Sequence, residues 1–291
     1  MSYTSMMEAQ KRCENEKISF WKAVQLEDCA DRDVSEEKSW KKMNEMWDAM
    51  VLSLESYDPK TISQSGMVGR EGGLMDAYTK KEDSLCGYFV SRVMTNALKM
   101  GCNNACMKRI VAAPTAGACG VLPSILITYW EEKGIDSRSM IESLYVAAGI
   151  GQIIAERSSL AGAVGGCQAE IGSASAMAAA AICFLKGGNL EQISSASAMA
   201  LKNLMGLVCD PVAGLVEVPC VKRNVGGAVN ALAAADMALA GIRSQIPLDQ
   251  VIDAMKEVGD KMSNDLKETA LGGVAATPKG MEIKETLYCK I

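Results

Sequence analysis

The sequence predicts an all-α fold, a multi-helix bundle in which Gly- and Ala-rich helices pack closely against one another. Composition is the first reason, because 49% of the 291 residues are hydrophobic while only 5% are aromatic. Ala, Leu and Met lose little rotamer freedom in a helix, whereas strands favour β-branched and aromatic residues. The second reason is that apolar residues recur at spacings of three and four. Strand-like alternation of apolar and polar residues is scarce along the chain.

The first element is an amphipathic helical region within residues 1–60, which is charged and holds three of the four tryptophans. Its clearest apolar stripe has the three-and-four spacing of one helix face: Trp40, Met43, Trp47, Met50 and Leu54. Asp58-Pro59 ends this helix, because the residue before a proline disfavours the α conformation. We expect the stripe to dock on the rest of a single domain, residues 1–291, with contact to a partner chain as the alternative.

A glycine-rich passage follows at residues 65–73, with the sequence SGMVGREGG. Glycines at this density allow tight turns or a close approach of the backbone to a ligand. No predicted strand precedes the passage, which argues against a dinucleotide-binding or phosphate-binding loop. A helical stretch is expected to run from there to about Lys99.

From Ala112 onward, short loops of small residues alternate with Ala-rich helices. Apolar periodicity predicts six helices there: Leu122–Lys133, Ser139–Arg157, Gln168–Leu185, Leu190–Leu207, Val225–Gly241 and Leu248–Asp260. Pro247 suits the start of the last helix, since proline is tolerated in a first turn. The many Gly, Ala and Ser residues on these helices favour a close approach of their axes.

Charge and hydropathy exclude two classes of partner. The net charge is −5, from 30 basic and 35 acidic residues, without the basic cluster that nucleic acid requires. The longest apolar region, Ser173 to Leu185, is short and Ala-rich for a membrane span, and the first 14 residues lack a signal-peptide core. We therefore expect a cytoplasmic protein that binds neither nucleic acid nor a membrane. The absence of histidine removes the commonest general base.

Eleven cysteines are many for such a chain, and their odd number leaves at least one thiol unpaired. In a reducing compartment they serve metal binding, catalysis or core packing. Cys102 and Cys106 are four residues apart and could chelate a metal from one helix face, although few polar residues support such a site. Cys86 and Cys183 are typical of small apolar residues in helices.

Cys167, Cys209 and Cys220 differ from the other cysteines in their backbone surroundings. Cys167 follows two glycines and precedes a predicted helix, whose unpaired N–H groups would stabilise a thiolate. A helix between Cys209 and Cys220 would hold them about 16 Å apart. Prolines 211 and 219 and a glycine at 214 predict a loop that folds back, so that the two thiols can converge. Spacing alone leaves open that all three are ordinary buried cysteines.

Three motifs in the sequence are similar to those of a known family. They are APTAGACGVLP at residues 113–123, GCQAEIGSASAMA at 166–178 and CDPVAGLVEVPCVKRN at 209–224. They resemble the α chain of iron–sulfur-dependent L-serine dehydratases, over roughly Ser35 to Gly273. This resemblance implies an all-helical chain with cluster-binding loops that converts L-serine to pyruvate and ammonia without pyridoxal phosphate. It also implies that Cys167, Cys209 and Cys220 hold a [4Fe–4S] cluster and leave one iron open for the serine carboxylate and hydroxyl.

The resemblance further suggests which residues contact the substrate. The loop from Thr115 to Gly120, with Gly117 and Ala118, would hold the serine carboxylate, and Ser65-Gly66 occupies a comparable position. Arg223 is a further candidate for contact with the substrate, on the chemistry of its side chain. A guanidinium pairs well with a carboxylate. Cys289 is a candidate fourth ligand, because a terminal cysteine can cap the open iron in single-chain relatives; the alternative is an exposed thiol. The remaining charged residues near the ligands would tune the cluster, bind carboxylate or form structural salt bridges: Glu170, Asp210, Glu217 and Lys222.

Some members of this family are single chains with an additional α/β region, and others are divided into two subunits. This chain resembles the α subunit of a divided enzyme, so we expect a hetero-oligomer with a β subunit that supplies the general base. Three alternatives remain open at this point. They are sulfide elimination from L-cysteine with the same cluster, a pyridoxal-phosphate dehydratase for which no lysine stands out, and a non-enzymatic zinc or cluster carrier.

Overall fold

The computed structural model describes residues 3–81 and 83–289. Within these residues there are thirteen α-helices and no β-strand, and the only bridge pairs Cys209 with Lys267. The helices are α1 (Met6–Glu16), α2 (Phe20–Arg32), α3 (Glu36–Glu55), α4 (Glu71–Thr79), α5 (Gly87–Ala105), α6 (Val121–Lys133), α7 (Ser137–Arg157), α8 (Gly162–Gly165), α9 (Ser173–Leu185), α10 (Leu190–Asn203), α11 (Cys220–Leu239), α12 (Leu248–Lys261) and α13 (Pro278–Tyr288). The predicted all-α fold is confirmed.

Helix α9 forms the centre of the bundle. Every residue from Ser173 to Cys183 is buried, and α6, α7, α10 and α11 pack around it. Its alanines and serines allow these neighbours to approach closely, because interaxial distance depends on the side chains at the contact. The stretch Gln168–Leu185 is long and apolar enough to span a bilayer by composition, but 83% of it is buried among the other helices. This stretch is therefore part of the hydrophobic core of the bundle.

The amphipathic stripe of the N-terminal region lies on α3 and docks on the body of the bundle, as its spacing predicts. Trp47, Met50 and Leu54 are buried. The Trp47 ring meets Trp130 of α6 edge to face, with 5.8 Å between the ring centroids. The hydroxyl of Tyr145 in α7 lies 2.7 Å from Ser39 Oγ. The N-terminal helices thus belong to the same hydrophobic core as the later ones.

Several predicted boundaries are wrong. The helical stretch expected to reach Lys99 is two helices, since α4 ends at Thr79 and α5 begins at Gly87, whose φ of +71° cannot lie inside a right-handed helix. Helix α10 ends at Asn203 rather than Leu207, and Gly206 at φ +85° turns the chain.

Helix α11 begins at Cys220, five residues before the predicted start at Val225. Pro219 stands immediately before it, so the fixed φ of a proline leads directly into the first helical turn. Helix α13 was not predicted, although Thr277 caps it through a bond from Gly280 N–H and Pro278 opens it. Threonine followed by proline is a helix-start signal, and it could have identified α13.

Two adjacent glycines of α11 provide a matched test of packing. A Cβ added at Gly227 would lie 2.9 Å from Ile171 Cγ2 and 3.0 Å from Val121 Cγ2, whereas one added at Gly226 would meet no atom within 4 Å. Gly226→Ala should stabilise the protein by about 0.5–1 kcal/mol, as expected in an exposed helix. Gly227→Ala should destabilise it by about 1–3 kcal/mol through overpacking. Denaturant unfolding of both variants checks this, and equal effects would contradict the tight α11 contact.

Candidate functional site

The segment between Cys209 and Cys220 is a loop that folds back on itself. Near its two ends, the N–H of Val212 donates to the carbonyl of Val218 at 2.8 Å. Ala213 and Gly214 take the left-handed conformation, with φ of 56° and 74°, and so reverse the chain. The fold-back expected from the prolines and the glycine is present, and Cys209 and Cys220 are both buried.

Cys209 is held at both of its backbone groups. Its N–H donates to Leu266 O at 2.8 Å, and its carbonyl accepts from Glu268 N–H at 2.7 Å. The segment 266–268 therefore lies alongside this thiol-bearing residue like a short strand. Motif inspection did not identify this segment, because its contribution is made by backbone groups.

Cys167 lies at the entry to the helix that becomes α9, as predicted, but the first turn has a different form. Residues Gln168–Gly172 form a π-helical turn, which is rare and occurs frequently at functional sites. The buried Gln168 fixes this turn: its N–H donates to Leu207 O at 2.9 Å, and its side-chain oxygen accepts from Gly206 N–H at 2.8 Å. Cys167 is thereby tied to the chain that leads into Cys209.

The three thiols lie close enough to influence one another electrostatically. Burial raises the pKa of Cys167 to about 11, and the Arg223 guanidinium partly offsets this. Burial, followed by the nearby Cys167 thiol, raises the pKa of Cys220 to about 12. The same two causes, in the same order, hold the pKa of Cys209 well above its usual range. The structure thus brings the three predicted ligands into one buried region.

Within residues 3–81 and 83–289, no three His, Cys, Asp or Glu side chains are placed to hold one metal ion. The donors in the buried region are three cysteine thiols, the side chains by which proteins hold iron–sulfur clusters. Thiolates are the ligands that such clusters use, and metal binding displaces the thiol proton. The donor set of Cys167, Cys209 and Cys220 therefore fits a [4Fe–4S] cluster.

Glu170 lies on the π-helical turn and faces the same region. Its Oε2 atom is 3.9 Å from Cys209 Sγ. A Cβ added at Gly162 would lie only 2.6 Å from this oxygen and 3.0 Å from the Cys209 sulfur, so glycine is required there. Burial raises the pKa of Glu170. The carboxyl group is therefore part of the site rather than a surface charge.

The loop predicted to bind the substrate carboxylate faces Glu170. A Cβ added at Gly117 would lie 3.6 Å from Glu170 Oε1. The buried Thr115 hydroxyl lies beside the Glu170 carboxyl and partly offsets the effect of burial on the Glu170 pKa. Ala116–Ala118 form a 3₁₀ turn, within which Ala118 is buried. Thr115, Gly117 and Ala118 thus lie at one edge of the thiol region.

The Gly-rich passage reaches the thiol region through Glu217, a buried residue of the Cys209–Cys220 loop. Ser63 Oγ donates to Glu217 Oε2 at 2.8 Å, and Ser65 Oγ donates to the same oxygen. Gly66 takes φ +81°, and a Cβ there would meet no atom within 4 Å. Ser65 already has a protein partner, so its role toward substrate remains a prediction, as does that of Gly66. Ser63 was not identified from the sequence.

Arg223 has partners within the protein. Its two terminal nitrogens donate at 2.8 Å to Val208 O and to Asp210 Oδ1. The other Asp210 oxygen accepts from Val274 N–H at 2.7 Å. Arg223 also lies beside Cys167, where its positive charge favours the thiolate. Contact between Arg223 and the substrate remains a prediction, while the expected structural salt bridge is present.

The other candidate cysteines lie elsewhere. Cys289 is exposed at the end of α13, so its thiol is not buried with the other three, and its capping role remains a prediction. Cys102 Sγ donates to Glu71 Oε2 at 3.5 Å, and Cys106 Sγ donates to Thr61 O at 4.0 Å. Glu71 also pairs with Lys222 at 3.2 Å. Each of these two thiols therefore has a hydrogen-bond partner within the protein.

Comparison with known proteins shows the family of the chain. Residues 5–275 match the family model for the serine dehydratase alpha chain. The chain belongs to the serine dehydratase alpha chain family. The resemblance expected from the three motifs is thereby confirmed, and membership places the protein among the lyases.

Relatives of this chain include both short and long proteins. A probable L-serine dehydratase alpha chain of Bacillus subtilis is 45% identical over 254 residues, covering 87% of this chain and 85% of that protein. The L-serine dehydratase alpha chain of Peptoniphilus asaccharolyticus is 39% identical over 279 residues and 94% of each chain. An L-serine dehydratase of Helicobacter pylori is 33% identical over 95% of this chain but only 62% of its own length. This chain therefore spans less than two thirds of the length of that relative.

Proposed function

We propose that this chain is the α subunit of an L-serine dehydratase, which converts L-serine to pyruvate and ammonia. The observation that carries the proposal is the convergence of three buried thiols beside the Thr115–Gly120 loop. The thiols come from segments 42 and 11 residues apart in the chain. Names of relatives up to 54% identical specify the same substrate.

The proposed cofactor is a [4Fe–4S] cluster held by Cys167, Cys209 and Cys220. With three protein ligands, the cluster supplies an iron with an open coordination site that acts as a Lewis acid on the substrate. The chain prepares this site electrostatically, because the Arg223 guanidinium stabilises the Cys167 thiolate. Buried Asp210 holds the guanidinium in place at 2.8 Å.

The Thr115–Gly120 loop is suited to bind the substrate carboxylate. The N–H groups of Ala116 and Gly117 donate to no protein group in the described part of the chain. Unpaired N–H donors are stabilised by an anionic ligand. The Thr115 hydroxyl lies in the same loop, next to the Glu170 carboxyl. Gly117 also leaves space beside Glu170 that a side chain would occupy.

We propose that the general base comes from a β subunit, because this chain contains no histidine. Two relatives carry the name alpha chain, which implies that each of those proteins has a second subunit. The active protein is then a cytoplasmic hetero-oligomer of α and β chains, in which the present chain forms one helical catalytic domain.

Anaerobic purification with and without the β chain tests this function. We expect the α chain to carry about four irons and the α–β complex to form pyruvate from L-serine, with little turnover by α alone. L-Cysteine and L-threonine serve as substrate controls in the same assay. A colourless zinc protein, or sulfide release from L-cysteine in preference to pyruvate from L-serine, would contradict the proposal.

A further inference from the structure

A buried asparagine four residues after Cys220 joins two parts of the site. Asn224 is 1% exposed. Its Oδ1 atom accepts from Gly120 N–H at 2.8 Å. Its Nδ2 atom donates to Gly117 O at 2.8 Å and to Cys220 O at 3.0 Å. Both side-chain N–H groups and the side-chain oxygen are therefore used.

These three bonds hold the Thr115–Gly120 loop at both ends of its turn. One bond fixes Gly117 and another fixes Gly120, while the third reaches the backbone of a proposed cluster ligand. Close approach is possible because Gly120 has no side chain. A Cβ there would lie 2.7 Å from Ala97 O and 3.0 Å from Asn224 Oδ1.

The chemistry of the bonds requires an amide at position 224. Aspartate has nearly the same shape and can still accept from Gly120 N–H, but it cannot donate to the two carbonyls. Alanine can make none of the three bonds. The contacts with Gly120 and Gly117 join residues 104 and 107 positions apart in the chain, so they fasten the loop to α11.

We propose that Asn224 is a positioning residue for L-serine binding. It holds the donors of Thr115 and Gly117 in register with Cys220, so that the carboxylate of the substrate is bound next to the thiol region. Asn224 does not itself touch the substrate in this proposal. The inference rests on the proposed function of the chain.

The test compares Asn224→Asp with Asn230→Asp in the cluster-loaded α–β enzyme. Asn230 lies on the same helix and donates to Ser175 Oγ at 2.9 Å and Ala200 O at 2.8 Å, so its replacement removes two similar bonds away from the loop. We expect Asn224→Asp to raise KM for L-serine roughly 10- to 100-fold with a smaller change in kcat. This pattern is expected because a misplaced loop weakens the binding of the substrate more than it affects the chemical step. Asn230→Asp should leave KM unchanged.

A second measurement does not depend on activity. Hydrogen exchange of the Gly120 amide should accelerate in Asn224→Ala. In the same variant, L-serine should no longer perturb the cluster spectrum at the L-serine concentrations that perturb the spectrum of the wild-type enzyme. The iron content should stay at about four in all variants. If Asn224→Ala does not fold, Asn224→Ser provides the same comparison with one retained hydrogen-bonding group.

The possible failures can be told apart. An iron-free or inactive wild-type enzyme would refute the proposed function itself. With an active wild type, an unchanged KM in Asn224→Asp, or an equal rise in KM for the Asn230 variant, would overturn the positioning role.

Discussion

Replacing Cys209 by serine is expected to abolish cluster binding and to lower kcat for L-serine more than about 100-fold. A loss of up to about 100-fold is already typical when a group that only supports a metal ligand is removed, and Cys209 is proposed as a ligand itself. The backbone at Cys209 is held by hydrogen bonds to Leu266 and Glu268, so the segment that carries the sulfur is anchored at both of its backbone groups. A serine hydroxyl keeps nearly the same shape but is a harder ligand that iron–sulfur clusters do not favour.

Iron and sulfide content of the anaerobically purified complex, together with pyruvate formation, measure this effect. Cys183→Ser is the matched control, because Cys183 is also buried. It lies ten residues beyond Ser173, the residue at which α9 begins on the Cys167 side, which is about 15 Å along the helix axis. The control should retain the cluster. Full iron content and activity in Cys209→Ser would show that this thiol is not a ligand.

The second large effect is expected at Asp210. Asp210→Ala should destabilise the protein by about 3–5 kcal/mol, as found when one partner of a buried ion pair is removed. Asp210 is buried and pairs with Arg223 at 2.8 Å, and its other oxygen accepts the N–H of Val274. The alanine variant leaves the guanidinium and this N–H without their partner.

Denaturant unfolding of the variant and wild-type enzymes measures the loss. Asp260→Ala is the control, because Asp260 forms a surface pair with Lys256 in which both side chains are more than half exposed. Such pairs contribute about 0–1 kcal/mol. A loss at Asp210 no larger than at Asp260 would mean that the buried pair does not hold the Cys209–Cys220 loop.

Much of the helical architecture was predictable because it depends on local periodicity. The stripe from Trp40 to Leu54 identified α3, and the helix predicted at Ser139–Arg157 starts only two residues late compared with α7. The boundary errors at Gly87 and Cys220 have a common origin. Both depend on a single residue, a glycine with positive φ or a proline before the helix, whose effect apolar spacing does not record.

The candidate site was predictable in part. Pro211, Gly214 and Pro219 indicated the fold-back between Cys209 and Cys220, because these residues restrict or free the backbone locally. The π-helical turn after Cys167 was not predictable, since π and α turns share one apolar pattern. Asn224 was part of a recognised motif, yet nothing in the motif indicated that its amide would hold the Thr115–Gly120 loop.

The sequence by itself determined the helical class and the family, because each depends on residue types and short-range spacing. It also predicted Cys167, Cys209 and Cys220 as ligands, which stays a prediction. Only the tertiary structure decided that Cys167 meets the loop beginning 42 residues later. It also decided that Arg223 pairs with Asp210 and that Asn224 reaches Gly117. These contacts join segments distant in the chain, so they are set by how the helices pack and by the requirement that buried polar groups find partners.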